Sequence, residues 1–289
     1  MTALAVAAPA DMAALRTLVR TSAAPLHFIA GGTDMLVGAR HFPRTGLLVD
    51  LSRTDGMAGV RATSAGIRIG AATTVATLAA DRELRDRLPA LCQAAEQCGC
   101  VQIRNRATIG GNIANASPAA DLAPVLLAAG ARLLVLCPGG RSREEPFEGF
   151  APKPGKLIVE IFIPADSLLP RSAFIKLGPR DDLAISRLSL AALAEYEDGR
   201  FGALRIVGGA IGPLPRRLQR GEEALAGRML DASALSDFAA ALTAEIDAAI
   251  PERASRPYKR RAVTGLALDL VAGVTGLSPR DDLFEEVLK

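Results

Sequence analysis

Apolar positions in the first fifty residues follow two periodicities. The run "DMAALRTLVR" sets Met12, Leu15, Leu18 and Val19 at helical spacing, whereas "LHFIA" and "GLLVDL" are short apolar runs that predict buried strands. With "MTALAVAAPADMAAL" supplying a first strand ahead of the helix, this is the order of a small parallel unit. From Gly56 to Pro164 the strands "GIRIGA", "ARLLVLC" and "KLIVEIFI" interleave with the helical "RDRLPALCQAAEQCG" and an apolar helix after Asp121. Beyond Arg171, "SAFIKLG", "ISRLSLAALAEYEDG" and "GALRIVGGAIG" read as three strands separated by turn residues, followed from Gly221 by helices. The pattern predicts an α+β protein in three parts, 1–55, 56–168 and 169–289, the last an antiparallel sheet with helices.

Composition narrows the function classes. At 289 residues and 49% hydrophobic content the chain can bury a core, which excludes general disorder. Thirty-four basic against 31 acidic residues are spread without a basic block, which argues against a dedicated nucleic-acid binder. No uninterrupted apolar run is long enough to span a bilayer. The first apolar run has no preceding positive residue and is broken by Pro9 and Asp11, so a cytoplasmic location is expected rather than export. Cys92, Cys98, Cys100 and Cys137 match no common cluster or zinc spacing and read as reduced thiols, so no metal site is expected. Only His27 and His41 carry imidazoles, and neither adjoins a serine or cysteine nucleophile.

Two glycine-rich segments carry the candidate chemistry. In "LHFIAGGTDMLVGAR" a strand runs into Gly31-Gly32, and Thr33 or Asp34 can cap a helix starting near Met35, aiming backbone N–H groups at an anion. In "RNRATIGGNIANASPAADLAPVLLAAGA" the stretch Thr108 to Asn112 suits a close backbone approach. Ser117 can cap a helix with Pro118 at its first position and Gly130 at its end. Neither segment fits the GxGxxG or GxxxxGK[ST] patterns. Two such loops, about 75 residues apart, suit a diphosphate held between two subdomains.

The stretches "AGGTDMLV" and "IRNRATIGGNIANASPAADLAPVLLAAGA" resemble the two flavin-binding signatures of the FAD-binding, or medium, subunits of xanthine dehydrogenase-family molybdenum hydroxylases. "FIKLGPRDDLAISRLSLAA" is similar to the family's late flavin-side loop, and "RASRPYKRRAV" to the start of its C-terminal helices. The resemblance implies a two-subdomain FAD-binding fold of the vanillyl-alcohol oxidase type plus a C-terminal domain of antiparallel sheet and helices. It implies that Phe28, Ile29, Ala30, Gly31, Gly32, Thr33, Asp34 and Met35 wrap the FAD diphosphate, with the N–H groups of Gly31, Gly32 and Thr33 as donors. Thr108, Ile109, Gly110, Gly111 and Asn112 take the other side. By the same resemblance, Asp121 reaches ribityl or ribose hydroxyls, Ile158 makes an apolar contact, Lys176 lies near the flavin, and the run from Asp181 to Ala184, with Asp182 and Leu183, flanks the isoalloxazine.

Some relatives carry a cysteine-containing insertion after "GGN" that holds a four-iron cluster. Here Asn112 continues directly into "IANASPAAD", so non-covalent FAD is the cofactor expected on this chain. The family implies that molybdopterin and two-iron iron-sulfur clusters reside on a large and a small partner subunit, in a dimer of heterotrimers. No catalytic side chain is then required, because this chain relays electrons from the clusters to an external acceptor. The alternatives are a self-sufficient flavin oxidoreductase and a scaffold subunit without cofactor.

Overall fold

The computed structural model describes residues 4–37, 42–180, 184–278 and 281–288. Its first part is a three-stranded parallel sheet of β1 (Ala5–Ala7), β2 (Leu26–Ile29) and β3 (Leu47–Asp50), in the order β1-β3-β2. Helix α1 (Met12–Thr21) crosses between β1 and β2. Asp11 caps it by accepting the Ala14 N–H at 2.8 Å, and Leu15 and Val19 are its buried residues. The apolar spacing seen in the sequence is therefore the face that packs on the core.

The second part is an antiparallel sheet of β4 (Val60–Thr63), β5 (Gly66–Gly70), β6 (Arg132–Leu136), β7 (Ser142–Pro146) and β8 (Leu157–Pro164), ordered β4-β5-β8-β6-β7. Six helices separate β5 from β6: α2 (Val75–Ala80), α3 (Arg82–Arg87), α4 (Pro89–Glu96), α5 (Val101–Arg104), α6 (Ile109–Asn115) and α7 (Leu122–Ala128). The single helix expected over "RDRLPALCQAAEQCG" is two. Leu88, preceding a proline, is held out of the α region at φ −149°, and Pro89 opens the second helix. Central β8 is almost wholly apolar, whereas edge strand β7 is "SREEP", whose charges discourage pairing with another chain.

The third part is an antiparallel sheet of β9 (Arg171–Leu177), β10 (Leu188–Glu197), β11 (Arg200–Gly209) and β12 (Arg216–Arg217), ordered β12-β11-β10-β9. Helices α8 (Gln219–Leu225), α9 (Ala232–Ala249), α10 (Arg256–Thr275) and α11 (Asp282–Leu288) follow. The continuous apolar run in β10 has a direct cause. Leu190, Ala192 and Ala194 enter the core shared with α9 and α10, while Ala191 and Leu193 enter the core of the first two parts. A strand buried on both faces has no polar side to alternate with. No helix among the described residues is long and apolar enough to cross a membrane.

Candidate functional site

The two glycine segments, distant in sequence, are pressed together. A Cβ on Gly31 would sit 1.9 Å from the Arg106 carbonyl oxygen, so only glycine lets the loop after β2 lie against the segment before α6. Gly32 has φ +72°, the left-handed region that favours glycine. Residues 33–36 make a single turn, closed by the Leu36 N–H donating to the Gly32 carbonyl at 3.0 Å. The helix expected from Met35 is not formed among the described residues. The N–H groups of Gly31, Gly32, Thr33, Asp34 and Met35 make no hydrogen bond to any described group.

The second segment differs from the loop expected from its sequence. Thr108 caps α6 by accepting the Gly111 N–H at 3.1 Å, so "IGGN" forms the first turn of a helix. Its backbone donors are consumed within the chain: Ile109 N–H goes to the Thr73 carbonyl, Gly110 N–H to that of Ala71, and Asn112 N–H to that of Thr108. The segment can therefore offer a ligand surface and side chains, but not the N–H groups of 109–112. Gly110 is needed for packing, since a Cβ there would lie 2.7 Å from the Ala71 Cβ. Gly111 is exposed, at ordinary φ, and a Cβ would meet only Thr108 Oγ1, at 3.0 Å. Nothing else in the fold demands glycine at 111. Ile109 is fully buried in the core rather than at the cleft. The helix predicted to start at Pro118 begins instead at Leu122, because Ser117 organises a tight turn, accepting the Ala119 N–H on its Oγ at 3.3 Å. Gly130, at φ +61°, ends α7 as expected.

Between the segments lie two adjoining chambers. One, of about 500 Å³, is lined by Phe28 through Met35, Thr108, Gly111, Asn112, Cys98, Ile103, Ala114 and Asn115. The other, of about 400 Å³, shares Phe28, Ala30, Met35, Thr108 and Gly111 and continues past Gly110 to Ile158, His27 and the proline-rich link 150–156 between β7 and β8. The structure thus gathers Phe28 to Met35, Thr108, Gly110 to Asn112 and Ile158 around one cleft. Cys98, whose place in the family resemblance is near the adenine end with its contact to FAD left open, lines the cleft; Ile103 and the 150–156 link were not identified from sequence, because nothing in their local pattern separates them from ordinary surface. Asp182, Leu183 and His41 lie outside the described residues.

One buried polar atom in the cleft is orphaned. Asn112 Oδ1 has no hydrogen-bond partner among the described residues, although burying such a group unsatisfied costs about 1–3 kcal/mol. Together with the open face at Gly111 and the unused N–H row of residues 31–35, this fits an elongated ligand carrying both an anionic and a hydrogen-donating part. FAD has that chemistry.

Asp121 and Lys176 line neither chamber and are bound to each other. Lys176 Nζ lies 2.7 Å from Asp121 Oδ2 and donates to the Gln97 carbonyl at 2.8 Å, while Ser186 Oγ donates to Asp121 Oδ1 at 2.5 Å. The network ties β9 to the end of α4 and the start of α7. Burial pushes the Asp121 carboxyl above its usual range, against the opposing pull of Lys176 and Ser186. In the cleft itself, burial, with Asp121 adding to it, pushes the Cys98 thiol up to about 11. All four cysteines are free thiols.

Residues 2–166 match the FAD binding domain in molybdopterin dehydrogenase, and residues 173–274 match the CO dehydrogenase flavoprotein C-terminal domain. The chain is 32% identical over 254 residues to a xanthine dehydrogenase FAD-binding subunit of Escherichia coli O157:H7, covering 84% of this chain and 87% of that one. Among solved structures, a chain of carbon monoxide dehydrogenase from Hydrogenophaga pseudoflava superposes with a TM-score of 0.81 at 25% identity, covering 95% of this chain and 98% of that one. A chain of quinoline 2-oxidoreductase from Pseudomonas putida 86 shares the fold, with a TM-score of 0.82 at 20% identity and 99% of each chain covered. The flavin-binding fold inferred from the signatures is thus the fold observed, and the chain belongs to the FAD-binding subunits of the xanthine dehydrogenase-like molybdopterin dehydrogenase family.

Proposed function

We propose that this chain is the electron-transfer subunit of a multi-subunit molybdenum hydroxylase, holding one FAD non-covalently in the two-chambered cleft. The observation that carries the site is the orphaned Asn112 Oδ1 beside the unobstructed Gly111. The N–H groups of residues 31–35 donate to the diphosphate, and Asn112 Oδ1 accepts from the cofactor. Phe28, Met35, Ala114 and Ile158 supply apolar walls that keep water from its length. The buried Asp121–Lys176 pair acts indirectly, fixing the third sheet against the wall that carries Cys98. When bound, FAD would supply the redox chemistry of a relay from iron-sulfur clusters on a partner to an external acceptor. Molybdopterin and those clusters belong to a large and a small partner subunit. No group in the cleft needs to act as acid or base, and the Cys98 thiol stays protonated at neutral pH.

The reading is tested with the assembled complex carrying Gly111→Val. Its reducing substrate should still bleach the iron-sulfur absorbance while turnover with the acceptor is lost. If the clusters are no longer reduced in a complex with full molybdenum content, substrate oxidation depends on this chain's flavin, and the relay reading fails.

A further inference from the structure

Cys98-Gly99-Cys100 sets two thiols one residue apart, and the first of them lines the larger chamber of the cleft. They differ from the other two cysteines in what their sulfurs meet. Cys92 is fully buried, with its thiol donating to the Leu78 carbonyl at 3.3 Å, and the Cys137 thiol donates to the Val135 carbonyl at 4.0 Å. Cys98 and Cys100 are half-buried, and neither thiol makes a hydrogen bond to a described group. Two Cα steps span at most about 7 Å when fully extended. The chain bends at Cys98 and Gly99, and Gly99 sits at φ +59°, so the two Cα atoms come within the roughly 4.4–6.8 Å that a disulfide bridges.

The same turn supports a second wall residue. A Cβ on Gly99 would lie 3.1 Å from Ile103 Cγ2, and the Arg104 guanidinium donates to the Gly99 carbonyl at 2.8 Å. Drawing the two sulfurs together turns Cys98 and shifts the seat of Ile103, so the chamber takes a different shape in each redox state. We propose that Cys98 and Cys100 form a reversible disulfide that weakens FAD binding; the effect on FAD rests on the cleft assignment above, and the disulfide itself does not. A hydroperoxide oxidises the Cys100 thiol to a sulfenic acid as its O–O bond breaks, and is itself reduced to an alcohol. The Cys98 sulfur then attacks the Cys100 sulfur, forming the S–S bond, and the hydroxyl leaves with the Cys98 proton as water. Burial holds the Cys98 thiol protonated, which assigns the first oxidation to Cys100. An added dithiol reverses the change by exchange, because exposed disulfides are the labile ones.

The test uses the full chain, flavin-free and FAD-saturated, treated with tert-butyl hydroperoxide, then unfolded, alkylated and cleaved with trypsin without reduction. The fragment 88–104 carries Cys92, Cys98 and Cys100. From the flavin-free chain it should be alkylated only at Cys92 and be two hydrogens lighter, with tandem mass spectrometry locating the bond between Cys98 and Cys100. FAD affinity of the oxidised chain, read from flavin fluorescence, should fall at least about tenfold and return after dithiothreitol. By reciprocity, saturating FAD should slow the oxidation. Cys100→Ser, at a position lining neither chamber, should keep its FAD affinity through the same treatment. The proposal is overturned by a bond to Cys92 or between chains, by a Cys98–Cys100 disulfide with parent-like FAD affinity, or by an equal loss of affinity in Cys100→Ser. A reduced chain that takes up no FAD defeats the cleft assignment and the coupling with it, and is told apart because the disulfide is read in the flavin-free chain.

Discussion

Gly110 and Gly111 are neighbours with opposite reasons for being glycine, and alanine at each separates fold from ligand. At 110 the new Cβ would lie 2.7 Å from the Ala71 Cβ and 2.8 Å from its carbonyl oxygen, so backbone must move. Overpacking of this kind costs about 1–3 kcal/mol. At 111 the substitution removes a glycine from a helix, worth about 0.5–1 kcal/mol in favour of alanine. Against that, the Cβ crowds Thr108 Oγ1 at 3.0 Å, the atom that also caps the helix. Loosening that cap costs up to about 1 kcal/mol, so the two effects roughly cancel. Flavin-free Gly111→Ala should therefore unfold in urea within about 1 kcal/mol of the parent, and Gly110→Ala clearly below it. FAD affinity, read from flavin fluorescence, should fall at least about tenfold for Gly111→Ala, or about 1.4 kcal/mol, and further for Gly111→Val. Parent-like affinity in both Gly111 variants would refute the cleft geometry, and unchanged stability of Gly110→Ala would refute the packing argument.

Asn112→Ala removes a buried, unsatisfied oxygen, so the flavin-free chain should lose little stability, while FAD binding weakens by about 0.5–1.5 kcal/mol; an unchanged dissociation constant would mean that Oδ1 does not meet the cofactor. Asp121→Asn leaves the Lys176 ammonium buried without a counter-charge and should cost about 3–5 kcal/mol in urea unfolding, whereas Asp121→Leu/Lys176→Met should recover most of it; equal losses in both would contradict the buried-pair account. With its thiol pushed up to about 11, Cys98 should react with iodoacetamide at pH 8 roughly a hundredfold or more slower than an unperturbed thiol, as followed by site-resolved mass spectrometry, and FAD should slow it further.

The elements that pack by one face were legible in the sequence. α1 and the strands of the parallel sheet announce themselves because one side of each must be apolar. β7 does not, since an edge strand exposed to water carries no apolar rhythm, and its pairing with β6 comes from the chain reversal at 137–141. The "IGGN" turn misleads because two glycines argue for a loop, while the Thr108 cap and the packing against Ala71 hold them in a helix. At the site, the glycine segments stood out by composition, but the division of labour among the glycines did not. Gly31 and Gly110 serve chain contacts, and only Gly111 is left open, a distinction that depends on atoms far away in sequence. The same holds for Asp121, whose engagement by Lys176 and Ser186 is a contact across 55 and 65 residues.

On the proposed function, the cleft between the glycine segments holds one FAD by non-covalent contacts. Its most direct test is the flavin content of the full chain, purified and saturated with FAD, before and after acid precipitation. One FAD per chain by absorbance is expected, all of it released into the supernatant. A chain that remains colourless with FAD present, or flavin retained in the washed pellet, would contradict it.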